Sequence, residues 1–275
     1  MKRILLTGAA GKLGRRLRAP LAARFELVRI SDLLEMPVGT ANEEHVLCDL
    51  SDFSAVKELV AGVDAIVHFG GYPREADWET IIPANIISTT NLWEAALVAG
   101  VQRIVYASSN HVIGFHPVDR EIGTDAEPKP DSRYGVSKAF AETLARFYYE
   151  KYGLQSLGLR IGRCDDKPSD SRMLSTWIHP EDLAQLVVRG IEQPIAADVA
   201  YGVSRNSRSW WRNDGLPELG YEPAHSADDY LSEIPDAEKG SRTPPWAFQG
   251  GPFASAQYVG DPLRAANFLR SIAKA

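Results

Sequence analysis

The sequence predicts an α/β chain, a doubly wound parallel sheet with helices on both faces and a small C-terminal cap. Three observations predict it. Short apolar runs recur at 3–7, 25–31, 45–48, 65–69, 103–107, 157–161 and 197–203, several of them separated by helical patterns. A glycine-rich stretch, Gly8-Ala-Ala-Gly11-Lys-Leu-Gly14, lies directly between the first apolar run and the first helical pattern. A tyrosine and a lysine four residues apart, Tyr134 and Lys138, open another amphipathic helix.

At 275 residues, 44% hydrophobic and 24% charged, the chain has the balance of a globular protein large enough for one sizeable α/β unit. The formal net charge of −6 speaks against a general nucleic-acid or membrane-surface binder. An anionic small molecule would need a local cationic pocket set against that field. Cys48 and Cys164 sit in strand-like runs without metal-ligand spacing, which fits reduced thiols and no metal site. The apolar run after Met1-Lys-Arg is too short for a signal peptide, and no run approaches the ~20 residues of a membrane span. A cytoplasmic location is the expectation.

Taken in order, the run 3–7 is a strand, and the helix over 12–23 carries Leu13, Leu17 and Leu21 at near-helical spacing. Glycines between the two permit a tight turn and close backbone approach, and the helix N-terminus offers N–H groups to a pyrophosphate. That is a Rossmann-type opening; a plain tight turn is the bland alternative. The second strand ends at Asp32, 18 residues beyond Gly14, where a carboxylate accepts from a ribose diol and repels a 2′-phosphate. NAD is therefore preferred over NADP, although Arg15 and Arg16 could soften the repulsion; a helix or turn cap is the lesser alternative for Asp32. Asp49 and Leu50 end the third strand beside the expected adenine, and Ser51-Asp52 caps a helix through Val60. The fourth strand closes on Gly70-Gly71, small enough for the backbone to meet a cofactor; His68 reads as an ordinary strand residue. In the long helix that follows, Asn85 and Asn91 either steady neighbouring loops or are simply solvated.

Ser108-Ser109-Asn110-His111 leaves the fifth strand at the carboxyl edge, where open α/β sheets bind ligands. Alone it would read as a polar turn. Tyr134 and Lys138 lie on one helix face, so both polar tips can reach one cavity. A phenol near pKa ~10 is a poor base at neutral pH, and a nearby ammonium favours the phenolate. Strand six ends at Ile161, with Gly162-Arg163-Cys164 leaving it. A polar loop over 165–172, a helix over 180–191 and a last strand over 197–203 follow. The chain reads as one domain over 1–275, with a dinucleotide-binding core to about 165 and a cap with C-terminal elements from about 166.

Gly8-x-x-Gly11-x-x-Gly14, Asp32, Asp49, Ser109 and Tyr134-x-x-x-Lys138 together resemble the extended short-chain dehydrogenase/reductase superfamily, across the first two-thirds of the chain. The resemblance implies that Ser109 orients substrate, Tyr134 acts as acid/base, and Lys138 holds the nicotinamide ribose. It implies NAD lying along Gly8, Ala10, Gly11, Lys12, Leu13 and Gly14, with Asp32, Leu33, Asp49 and Leu50 at the adenosine end. Phe69, Gly70, Gly71, Ile161 and Cys164 complete the expected cofactor lining. A closer likeness covers nearly the whole chain: Ala107-Ser-Ser-Asn-His111, Arg172-Met-Leu-Ser-Thr-Trp177, Trp210-Trp211 and Gln249-Gly-Gly are similar to bacterial NAD-dependent uronate dehydrogenases. This implies oxidation of galacturonate or glucuronate at C1 to an aldarolactone. It also implies that Arg172 holds the sugar carboxylate, that Ser109, Asn110 and His111 line the sugar site, and that Phe253 reaches a neighbouring subunit, hence a homo-oligomer. Composition alone would make Arg172 a solvated loop residue.

Two positions depart from that pattern. Pro73 and Arg163 stand where the family usually has substrate-side serines, so the identity of the sugar acid is open. A sugar epimerase or dehydratase on the same scaffold, or a catalytically silent NAD-sensing protein, is the competing reading. The short cap speaks against the first, and the presence of Ser109, Tyr134 and Lys138 against the second.

Overall fold

Burial of β1 (Arg3–Thr7) on both faces sets the architecture, because successive strand side chains face opposite sides. Ile4 and Leu6 enter one core and Leu5 the other. The computed structural model describes residues 1–214, 219–234, 244–256 and 258. After β1 come α1 (Lys12–Arg24), β2 (Leu27–Asp32), β3 (Glu43–Leu47), α2 (Phe53–Leu59) and β4 (Ala65–His68). Next is one helical rod in three parts: α3 (Trp78–Ile81), a π-helical turn over Ile82–Ile87, and α4 (Ser88–Ala99). Then follow β5 (Arg103–Ser109), α5 (Arg133–Tyr152), β6 (Gln155–Ile161), β7 (Arg163–Cys164), the single turn α6 (Met173–Thr176), β8 (Trp177–Ile178), α7 (Pro180–Glu192) and β9 (Ala197–Gly202). Two short turns, α8 (Pro244–Ala247) and α9 (Pro252–Ser255), end the described elements.

Seven strands form one parallel sheet in the order β3-β2-β1-β4-β5-β6-β9. The chain reverses its direction of travel between β1 and β4, and a crevice opens there at the carboxyl edge. Leu17 and Leu21 of α1 pack with Leu183, Leu186 and Val187 of α7 on one face. Val56 and Leu59 of α2, Leu92 and Trp93 of α4, and Ala141 and Tyr148 of α5 cover the other. The expected doubly wound α/β sheet is what the chain forms. α7 and β9 lie beyond residue 165 yet complete this sheet; β7 and β8 pair as a separate two-stranded ribbon.

Most expected elements recur with shifted ends. β5 runs two residues further than its apolar stretch, to Ser109, because Ser108 and Ser109 stay in register with Arg160 and Ile161. Ser109 is thus a strand end, and the turn begins only at Asn110. Among the described residues, no helix is long and apolar enough to cross a membrane.

Candidate active site

A cavity of about 1040 Å³ lies along the carboxyl edge at the β1/β4 crevice. Its cofactor end is shaped by close backbone approach. Gly8 has φ 71°, and a Cβ there would stand 2.4 Å from the Phe69 carbonyl. A Cβ on Gly14 would stand 2.1 Å from the Gly8 carbonyl oxygen. Gly11 starts α1 without a side-chain cap, so the first-turn N–H groups are left for an anion. The lining here includes Gly8, Ala10, Gly11, Lys12, Leu13 and Gly14 from the turn and the start of α1, Asp32 at the end of β2, Leu33, Asp49 and Leu50 from the loops after β2 and β3, and Phe69, Gly70, Gly71 and Ile161.

Asp32 takes the capping role open to it and also lines the cavity. Its Oδ2 accepts from Ala10 N at 3.0 Å and its Oδ1 from Leu33 N at 2.8 Å, locking the glycine-rich turn to the end of β2. Asp49 Oδ1 accepts from Ser51 N at 2.8 Å and Ser51 Oγ at 2.7 Å. Arg16 is turned to Asp166, with Nη2 and Oδ2 2.9 Å apart, and Lys12 pairs with Asp165. The expected softening of Asp32 by Arg16 therefore finds no support in its position. Cys164 corrects another expectation: it is absent from the cavity wall and packs in the core beneath, where burial pushes its thiol up to about 12. Cys48 lines the cavity instead, a residue that an isolated thiol in a strand gave no reason to choose.

At the other end, α5 and β5 bring the reactive groups together. Ser132 caps α5 by accepting from Gly135 N at 2.9 Å. Glu75 receives Tyr134 N at 3.0 Å and Arg133 Nη1 at 2.9 Å, tying the first turn of α5 to the loop after β4. Ser109 hydrogen-bonds the Tyr134 hydroxyl. Lys138 Nζ stands 5.6 Å from the centroid of the Tyr134 ring. Both side chains are buried, and burial dominates their chemistry. It pushes Tyr134 up to about 12, against the pull of the Ser109 hydrogen bond and with the Asp131 charge adding to the rise. It pushes Lys138 down to about 8, still largely protonated at neutral pH. The expected fall of the tyrosine through its lysine is therefore outweighed in the protein by itself.

The sugar end is equally built. Asn110, His111, Pro73, Arg163, Arg172 and Phe253 all line the cavity with Ser109 and Tyr134. Phe253 stacks on His111, with centroids 4.0 Å apart and planes 14° apart, and meets the edge of Tyr134 at 6.2 Å. The α9 turn folds back over His111, so Phe253 lines the cavity of its own chain. Arg163 is two-thirds exposed and is held by Asp165, with Nε and Oδ2 2.7 Å apart.

Arg172 is not a solvated loop residue. It is largely buried, and that burial lowers its pKa from the ordinary guanidinium value, against the opposing charges of Asp170 and Asp131. Nη1 donates to the Pro245 and Phe248 carbonyls at 2.9 and 3.3 Å, and Nη2 to the Gln249 carbonyl at 2.8 Å. The guanidinium lies 5.1 Å from the Trp210 ring centroid. Three of the five N–H donors are used in these bonds, and the other two have no partner among the described residues. Gln249 explains the remaining motif: it is fully buried, donates to Pro117 O at 3.0 Å and Arg120 O at 2.8 Å, and accepts from Trp211 Nε1 at 2.8 Å.

The rod α3–α4 contributes through its asparagines, in favour of the loop-steadying role. Asn85 accepts from Tyr72 N at 2.7 Å and donates to Tyr72 O and Ser137 Oγ at 3.1 and 3.0 Å. Asn91 donates to Leu50 O at 3.0 Å and Ser51 O at 2.9 Å. Asp131, which the sequence reading passed over, lies 2.8 Å from His111 Nδ1.

Comparison with known proteins agrees with this geometry. Residues 4–180 match the NAD dependent epimerase/dehydratase family. A uronate dehydrogenase from Pseudomonas putida is 42% identical over 257 residues, covering 92% of this chain and 96% of that protein. The crystal structure of uronate dehydrogenase from Agrobacterium tumefaciens superposes with a TM-score of 0.89 at 42% identity, over 93% of this chain and 97% of the other. A mutant of that enzyme complexed with NAD gives a TM-score of 0.89 at 41% identity, over 95% and 100%. The chain belongs to the NAD dependent epimerase/dehydratase family, on its uronate dehydrogenase branch, and is an NAD-dependent oxidoreductase.

Proposed function

We propose that this protein oxidises C1 of a cyclic hexuronate, galacturonate or glucuronate, to the aldarolactone. The observation that carries the reading is Arg172, a partly buried guanidinium with two N–H groups unpartnered among the described residues, in the same cavity as Ser109 and Tyr134. A carboxylate at C6 suits such a group through charge-assisted hydrogen bonds, whereas the hydroxymethyl group of a hexose does not. The names of the relatives point the same way.

When bound, NAD⁺ would supply the acceptor for the hydride that leaves C1. The chain's own groups handle the proton and the geometry. Ser109 donates to the C1 oxygen and Tyr134 takes the hydroxyl proton as the C1–O double bond forms. Lys138, buried and cationic beside the ring, favours the phenolate and reaches the nicotinamide ribose. Because burial holds Tyr134 up at about 12, the phenolate becomes useful only with further positive charge close by, which the oxidised nicotinamide brings. Asp32 sits to accept from the adenosine ribose diol and to repel a 2′-phosphate.

Purified protein with NAD⁺ and either uronate should accumulate NADH, and galactose or glucose should give little. An epimerase or dehydratase on this scaffold would give no net NADH, and a sensor would bind NAD without turnover. Pro73 and Arg163, both on the cavity wall, favour a second reading in which another sugar acid is the better substrate, so the panel should extend to other aldose acids.

A further inference from the structure

We infer that Asp131 is a positioning residue of the sugar site: it holds the His111 imidazole with its proton on Nδ1, so that the bare Nε2 accepts a hydrogen bond from a hydroxyl of the bound sugar acid. The sugar part of this inference rests on the proposed function.

The Asp131 side chain is fully buried. Its Oδ1 accepts from Ser132 Oγ at 2.8 Å, and its Oδ2 stands 2.8 Å from His111 Nδ1. An ionised carboxylate can only accept, so the nitrogen facing it carries the proton. Nε2 is the other ring nitrogen, and His111 lines the cavity. The ring cannot readily turn over, since Phe253 lies flat on it at 4.0 Å and Tyr134 meets its edge at 5.8 Å.

Two glycines supply an independent observation. Neither Gly114 nor Gly250 has a positive φ, so backbone conformation gives no reason for glycine at either place. A Cβ on Gly114 would stand 1.9 Å from Asp131 Oδ2, and one on Gly250 only 1.6 Å from the same oxygen. Gly250 N donates to Gly114 O at 2.8 Å, closing the two segments around the carboxylate. The space for a Cβ at both positions is occupied by one buried oxygen, the oxygen that faces His111.

The arrangement also links the reactive groups to the sugar. His111 N donates to Ser109 Oγ at 3.2 Å, so the residue that presents Nε2 also orients the serine beside Tyr134. A hydroxyl donor placed by Nε2 is therefore fixed relative to the reacting carbon. Epimers that differ in the direction of that hydroxyl should be told apart here.

The test has two arms. In protein labelled with ¹⁵N-histidine, with the resonance assigned by His111→Ala, His111 should show a protonated Nδ1 and a bare Nε2. A proton on Nε2 overturns the inference. In kinetics, Asp131→Asn should lower kcat/KM for the preferred uronate by roughly tenfold or more, the scale of one charge-assisted hydrogen bond, and should change the galacturonate-to-glucuronate ratio. In a His111→Ala background the same substitution should cost less than about twofold, because the residue it acts through is gone. A full second loss in that background overturns the positioning role. If Asp131→Asn fails to fold, the labelled unmodified protein still decides the tautomer. A protein with the proton on Nδ1 but no turnover of any sugar acid overturns the proposed function and the sugar role with it, while the Asp131–His111 assignment stands.

Discussion

Arg172 Nη2 donates to the carbonyl of Gln249 at 2.8 Å, so the guanidinium offered to a ligand also ties down the wall of its own pocket. Removing the side chain releases three carbonyls as well as the clamp. Arg172→Ala should cut kcat/KM for a uronate by about 30-fold or more, since loss of one partner of a buried charge pair costs about 2–5 kcal/mol. Arg172→Lys should not rescue it, because an ammonium cannot reach three carbonyls and still grip a carboxylate in the plane. Steady-state kinetics with uronate and hexose side by side check this. Unchanged uronate turnover in the Ala variant and in Arg163→Ala/Arg172→Ala would remove the carboxylate clamp from the mechanism.

Tyr134→Phe should keep NAD binding and lower kcat by roughly 10²-fold or more, the usual scale for a lost acid/base group. Cofactor titration alongside initial rates separates the two effects. Near-normal turnover in the Phe variant would exclude Tyr134 as the base.

Asp32→Ala should relax the discrimination against NADP while also weakening NAD, because the same carboxylate anchors Ala10 N and Leu33 N. Relative kcat/KM for the two cofactors measures it. Efficient use of NADP by the unmodified protein would contradict the role, since Arg16 is committed to Asp166.

Lys138 makes stability depend on pH in a particular direction. Burial lowers it from 10.5 to about 8, which penalises the charged form in the folded state. Below about 8 the group is charged in both folded and unfolded chains, so the penalty is fully present. Between about 8 and 10.5 the folded protein loses the proton first and the penalty fades. Lys138→Met should therefore stabilise cofactor-free protein at pH 7 by on the order of 3 kcal/mol, read as a higher melting temperature, and by much less near pH 10. It should also abolish turnover. A Met variant that melts lower at pH 7 would show that the ammonium has stabilising partners.

The sheet and the reactive pair were legible in the sequence because they are carried by local signals. Apolar runs, glycines at fixed spacing and an i,i+4 pair need only a few neighbouring residues to be recognised. What escaped depends on distant contacts. Ile161 ends β6 and Cys164 lies three residues on in β7; both join the core, but only Ile161 also lines the cavity, a difference set by the turn between them. Phe253 belongs to its own chain's pocket because α9 returns to His111, a contact across 142 residues that no spacing encodes. Asp131 looks like one more turn residue until Gly114 and Gly250 are seen around it. The pKa values of Tyr134 and Lys138 follow from burial, which sequence proximity does not supply.

The rod from Trp78 to Ala99 has a consequence of a mechanical kind. Asn85, in its π-helical turn, grips the loop after β4 at Tyr72, and Asn91, six residues on, grips the loop after β3 at Leu50 and Ser51. One stiff bar thus anchors the loop beside the sugar and the loop beside the adenosine. With Ser137 of α5 fastened to the same asparagine, both mouths of the cavity and the helix that carries Tyr134 hang from one common support.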